Sequence, residues 1–128
     1  MSAAGLLVRN KGQLAFVPAA LVRFIRYDVV VTPFPGTELG MALLGGRVVP
    51  VVSLGPGERA LVVCDFDGET IAFSGLEPLR SGFFDGDEHG PIESSEIIPT
   101  LPVRDFVEKA RLQRPTVTTN AEENSWMS

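Results

Sequence analysis

The sequence predicts a mostly β domain that ends in one helix, and three features predict it. Gly, Pro, Asn and Asp interrupt the first two-thirds of the chain about every eight to twelve residues, the spacing of short strands in a barrel or sandwich. Between the interruptions lie short runs rich in Val, Leu, Ile and Phe, at 5–9, 13–17, 47–54 and 59–66. Only near the end does a helical period take over: Val103, Phe106, Val107 and Ala110 fall at i, i+3, i+4 and i+7, one apolar stripe. The 128 residues fit one domain, which at this size buries roughly two-thirds of the surface of its unfolded chain.

The elements follow in order. Residues 5–9 and 13–17 form a hairpin across Asn10, Lys11 and Gly12, a three-residue link of types that tolerate positive φ. Pro18 opens a short segment, helical or irregular, through Ala19, Ala20, Leu21 and Val22. The β-branched run 27–32 reads as a strand that Pro33-Phe34-Pro35-Gly36 must end, because proline cannot donate into a ladder. Gly45 and Gly46 precede a valine-rich strand at 47–54 whose Pro50 is acceptable only at an edge or bulge. Gly55-Pro56-Gly57 closes it. Residues 59–66 and 69–73 form the firmest hairpin, since Asp67-Gly68 suits a two-residue type I′ turn. Residues 82–96 are acidic and Gly-rich and read as an exposed loop, and 97–101 as one more strand. Pro102 starts the helix, Pro115 stops it, and the polar residues 115–128, with Trp126 the oddity, read as a frayed tail.

Composition removes several classes of function. The net charge is −5, and all of the excess lies from Asp85 onward, because residues 1–84 carry balanced acids and bases. No basic patch interleaved with aromatics is present to reward phosphates, so no nucleic-acid partner is expected. The densest apolar run, 48–52, is far short of the ~20 residues of a membrane helix. The first residues carry no export signal, so a soluble, cytoplasmic protein without membrane insertion is expected. Cys64, the single cysteine, sits among Leu61, Val62 and Val63 and reads as a buried thiol rather than a nucleophile.

Two motifs look chemical. Asp65-Phe66-Asp67-Gly68-Glu69-Thr70 after an apolar strand resembles the nucleophile loop of haloacid dehalogenase-type phosphatases. Glu69 stands where the hydroxyl belongs, however, and the strand runs into a hairpin instead of a helix. The acidic loop 85–96 nearly follows an EF-hand calcium loop, with acids at its first, third and twelfth positions and Gly90 at its sixth. His89 replaces an oxygen ligand there, and Pro99 and Pro102 forbid the helix that should leave the loop. A small phosphatase-like or calcium-binding protein using Asp65, Asp67 or this loop is therefore the alternative function. No cofactor motif is present: His89 is the sole histidine, and Gly36 to Gly46 lacks a Walker-type lysine.

One stretch is more specific. Thr32-Pro33-Phe34-Pro35-Gly36, then Gly40-Met41-Ala42-Leu43-Leu44-Gly45-Gly46-Arg47-Val48-Val49-Pro50-Val51-Val52-Ser53-Leu54, resembles the signature of CheW-like domains. There a strand ends in a Pro-to-Gly turn, and a short helix leads into Gly-x-x-Asn-Leu-Arg-Gly-x-x-x-Pro-x-x-Asp-Leu. The glycines, Leu44, Pro50 and Leu54 fall in register, and the resemblance extends over residues 1–114. It implies two small packed five-stranded-type β-barrels with a C-terminal helix, and the short stretch between residues 84 and 97 can leave one of them incomplete. It also implies a non-catalytic adaptor that couples receptors to a CheA-like histidine kinase in a bacterial chemosensory or gliding-type pathway. The implied partners are that kinase, a chemoreceptor cytoplasmic tip or another CheW-like protein. No cofactor or metal is implied.

The departures from the pattern are specific too. Leu43, Gly45 and Ser53 replace the Asn, Arg and Asp of the motif, and Phe24 precedes Ile25 where a Glu is usual. Charge-assisted contacts are traded for apolar area, so an altered choice of partner is expected. The candidate protein-binding residues are Val22, Phe24, Leu43, Leu44, Gly45 and Arg47.

Overall fold

The computed structural model describes residues 2–56, 60–87, 90–93 and 96–113. The expected tail with Trp126, the first residue of the 59–66 strand and parts of the acidic loop lie outside the described residues. The chain forms two sheets and a helix. Strands β1 (Ser2–Asn10) and β2 (Gln13–Pro18) pair antiparallel. Next come β3 (Val22–Tyr27), β4 (Thr32–Pro33), β5 (Leu39–Leu44), β6 (Arg47–Ser53), β7 (Ala60–Phe66) and β8 (Glu69–Ser74), which make a six-stranded sheet in the order β3-β7-β8-β6-β5-β4. The chain then returns to the first sheet with β9 (Leu76–Asp87), β10 (Gly90–Glu93) and β11 (Glu96–Ile97), giving the order β11-β10-β9-β1-β2. Helix α1 (Val103–Gln113) ends the described chain.

Burial explains why the strands read as continuous apolar runs rather than as clean alternations. In β7, Val62 and Cys64 face a core shared by both sheets and α1, whereas Leu61 and Val63 face a second core inside the six-stranded sheet. In β1, Leu6 and Val8 face the shared core, and Leu7 packs with Phe16, Phe84 and Ile98 inside the five-stranded sheet. A strand buried on both faces has no polar face to show. Each sheet therefore curls around a core of its own, and a third core fills the seam between them. Beyond β11 the chain closes the first sheet: the Phe16 amide donates to the Pro99 carbonyl at 2.9 Å, and the Leu101 amide donates to the Phe16 carbonyl at 2.8 Å.

Several expectations need correction. The first hairpin turns on two residues, not three, because Asn10 already pairs with Gln13 and only Lys11 and Gly12 take positive φ. The segment after Pro18, expected to be helical or irregular, takes the irregular form: residues 19–21 make a turn in which the Leu21 amide donates to the Pro18 carbonyl at 2.9 Å. The strand expected at 27–32 lies earlier, at β3, since pairing with β7 stops at Tyr27 and Asp28 turns the chain at φ 59°. Val29 and Val31 then pack on the second core from an irregular segment, which uses their apolar area without a ladder. The short helix implied before the motif is a turn, in which the Thr37 amide donates to the Phe34 carbonyl at 3.2 Å, and the motif itself opens in strand β5. The loop expected at 82–96 is mostly strand: β9 pairs with β1 from Leu76 to Asp85, which buries Phe84 at 5.7 Å edge-on to Phe16. The strand at 97–101 shrinks to β11, followed by an isolated bridge between Phe16 and Thr100.

Pro50 has a physical account in the register. Strand β6 pairs with β8 only from Val51 to Ser53, so at Pro50 the strand has one neighbour, β5, and behaves as an edge.

Candidate functional site

The β5–β6 hairpin carries the motif stretch. Gly45 and Gly46 occupy its two-residue turn at φ 57° and 79°, the doubly left-handed geometry of a type I′ turn that glycine adopts without strain. Alternation then sorts the side chains. Ala42 and Leu44 point into the second core with Val49 and Val51. On the other face three cross-strand pairs climb out of the molecule: Leu39 with Val52 in the shared core, Met41 with Pro50 half-buried, and Leu43 with Val48 at the tip. Leu43 is 68% and Val48 66% exposed, an apolar pair held in water at the end of a rigid ladder.

Beside this ladder runs a cleft of about 340 Å³, bounded by Phe34, Met41, Val48 and Pro50 on one side and by the 68–70 turn and Ala110 on the other. Helix α1 makes that second wall. Val103, Val107 and Ala110 are buried in the shared core, Phe106 packs edge-on to Phe73 at 5.4 Å, and Lys109 and Arg111 pair with Glu38 and Glu69.

A second surface lies between the sheets. Strand β3 is an edge of its sheet, and it faces β1 and β9 across a groove of about 440 Å³ lined by Gly5, Leu6, Val22, Phe24, Ile25 and Phe83. Phe83 is 80% exposed at its rim.

Where the six-stranded sheet curls round, β3 meets the turn of the β5–β6 hairpin. Four of the six sequence candidates, Phe24, Leu44, Gly45 and Arg47, share a recess of about 190 Å³ there with Arg23 and Arg26. Val22 lies in the groove instead, and Leu43 points away on the outer face. Leu44 is buried and serves as floor rather than contact. Phe24 is half-buried: it packs on the second core and carries the guanidinium of Arg26 at 4.8 Å and that of Arg23 at 5.9 Å over its ring. Phe83, Val48, Arg23 and Arg26 were not among the sequence candidates. Val48 was reachable as the cross-strand partner of Leu43, but the approach of Arg26 to Arg47 depends on closure of the sheet, which leaves no local signal.

The chemical motifs resolve differently. Asp65 accepts a hydrogen bond from the Thr70 hydroxyl at 2.7 Å and pairs with Arg23 at 3.4 Å, and Asp67 sits in the β7–β8 turn at φ 53°. Their strand passes into a hairpin, so the phosphatase arrangement is not formed. The EF-hand frame is replaced by the strands of β9 and β10, and among the described residues no cluster of three or more His, Cys, Asp or Glu is placed to hold a metal. Cys64 is fully buried, and burial, with the neighbouring Asp65 carboxylate, pushes its thiol up to about 12. Among the described residues no helix is long and apolar enough to cross a membrane.

Among solved structures the chain matches the scaffolding protein TtCheW from Thermoanaerobacter tengcongensis with a TM-score of 0.55, over 76% of this chain and 73% of that one. The fold is CheW-like. At 17% identity the likeness shows architecture, and it agrees with the two-sheet, one-helix arrangement around a shared core. No family model and no curated protein matches the sequence.

Proposed function

We propose that this chain is a non-catalytic cytoplasmic adaptor that joins a CheA-like histidine kinase to a receptor or to another array component in a bacterial chemosensory pathway. In this reading residues 1–114 are the CheW-like domain and 115–128 an appended tail. The observation that carries the proposal is the Leu43–Val48 pair, 68% and 66% exposed at the tip of a rigid hairpin. Exposed apolar area of this kind, continuous with a cleft, marks protein-binding surface. The CheW-like fold supports the setting, because the solved neighbour is itself described as a scaffolding protein.

The replacement of polar motif residues by Leu43 and Gly45 supports altered partner choice. Contacts are assigned to Leu43, Val48 and Arg47 at the hairpin and to Val22 and Phe24 at the groove. Titration against the regulatory domain of the kinase and the cytoplasmic tip of the receptor from the same genome tests the reading. The wild type is expected to bind at least one of them, with weak or no binding to a standard receptor tip. Leu43→Asp is the informative variant, since its side chain is already in water and the fold should survive. It should weaken binding by about tenfold or more, roughly 1.4 kcal/mol. A chain that binds neither partner, or that turns over aryl phosphates, would refute the adaptor reading.

A further inference from the structure

On a protein of net charge −5, the recess between β3 and the β5–β6 turn concentrates positive charge. Arg23, Arg26 and Arg47 surround it. Asp65 offsets Arg23 at 3.4 Å, and among the described residues neither Arg26 nor Arg47 has a carboxylate partner. Stacking on Phe24 orients the Arg26 guanidinium at 4.8 Å, and a stacked guanidinium keeps its N–H edge free to grip a carboxylate with two parallel bonds.

We infer that this recess is a docking site for an acidic segment of a partner protein, with one Asp or Glu entering between Arg26 and Arg47. The occupant is set by what flanks the charge. Phe24 also lines the apolar groove between the sheets, which runs on from the recess past Val22, Ile25 and the exposed Phe83. All three arginines are exposed, and a small free anion would meet them in water, where such pairs are weak and screened. A peptide whose apolar side chains cover Phe24 and the groove beyond it would exclude that water and strengthen the same pair. A polyphosphate chain would gain one basic spot only, set in apolar walls on an acidic protein. This inference rests on the protein-binding reading above but not on its chemosensory setting.

The test is selection from a phage library of random peptides on the immobilised full chain, with counter-selection on the Arg26→Glu/Arg47→Glu variant. Both side chains are exposed, so the variant is expected to melt with the wild type, and circular dichroism checks this. Enriched peptides are expected to place Asp or Glu beside apolar residues. The leading synthetic peptide should bind the wild type about tenfold or more tightly than the variant, and its glutamate-to-glutamine form should lose a similar factor. Enrichment without acidic bias, no enrichment over an unrelated bait, or equal affinity for the variant would overturn the inference. So would a labelled oligothymidylate that binds the recess more tightly than any peptide. A chain that binds the kinase yet selects no acidic peptide refutes the recess alone; one that selects acidic peptides and binds neither array partner refutes the chemosensory setting alone.

Discussion

Cys64 shows how burial decides the chemistry of a single side chain. With no exposed surface and a carboxylate on the next residue, its thiol is held neutral up to about 12, against ~8.5 in an unfolded chain. The folded state therefore keeps a proton that the unfolded state loses above pH ~8.5. The stabilising contribution is complete below that pH and declines as pH rises toward the folded value. Native protein at pH 8 should resist thiol reagents. From roughly pH 9 upward the unfolding free energy should fall faster in the wild type than in Cys64→Ala, by up to about 1.4 kcal/mol per pH unit. Parallel pH profiles for the two proteins would sink this account. The candidate binding residues were legible to a different degree. Leu43 could be singled out because a strand motif gave its position and its departure from the expected Asn. Leu44, read as a contact, is buried by alternation along β5, a strand that the sequence reading did not place there. The partial burial of Phe24 under Arg26 was not legible, because β3 and β5 are distant in the sheet order and meet only when the sheet curls.

Elements were legible where their cause is local. Asp67-Gly68 turns the chain through its own φ preferences, at φ 53° and 79°, and that hairpin follows from the sequence; in the first hairpin Gly12 at φ 81° supplies the preference, while Lys11 at 52° is held there by the ladder. Strand β9 was missed because its cause is distant: the Gly- and acid-rich stretch is extended by pairing with β1, Ser2 opposite Asp85, and no propensity within residues 82–87 would ask for it. The run at 27–32 failed in the opposite sense, having strand composition but no ladder partner between Tyr27, where β3 ends, and Thr32, where β4 begins. Helix α1 combines a local signal with a packing role, and its stripe is where its energy lies. Val107, 2% exposed, should cost about 1.5 to 3 kcal/mol when truncated to alanine. Phe106 is only partly buried but packs edge-on to Phe73, and its alanine variant should cost about 2 to 4 kcal/mol, at or below the usual range for a core phenylalanine. Leu112, 87% exposed on the same helix, is the control and should change stability by less than about 0.5 kcal/mol. Denaturant midpoints at constant slope measure all three, and a Phe106→Ala midpoint equal to the wild type would show that the helix does not anchor the sheets.

At the scale of the whole molecule the question is whether the two sheets are two folding units or one. Connectivity argues for one. The five-stranded sheet is built from both ends of the described chain, β1 and β2 before the six-stranded sheet and β9 to β11 after it. The five-stranded sheet cannot be cut out as a continuous segment with its pairing intact; the six-stranded sheet is the continuous stretch from β3 to β8 inserted into it. Packing argues the same way. The shared core takes Leu6 and Val8 from β1, Val17 from β2, Val62 and Cys64 from β7, Phe73 from β8, and Val107 from α1. Separating the sheets would expose one face of each of these strands to water, at roughly 25 cal/mol for every Å² of apolar area. A domain of this size with such a seam should unfold in one transition. Far-UV circular dichroism and fluorescence of a dye placed on the exposed face of β9 should give coincident denaturation curves. Amide exchange at Val8 in the first sheet and at Val63 in the second should report the same opening free energy, the global one. A seam substitution sharpens the test. Val8→Asp buries an uncompensated carboxylate in the shared core, and if the sheets are one unit it should abolish protection at Val63 as fully as at Leu7. Protection that survives at Val63 while Leu7 exchanges freely would mean that the six-stranded sheet stands alone and that the seam is a docking contact between two stable halves.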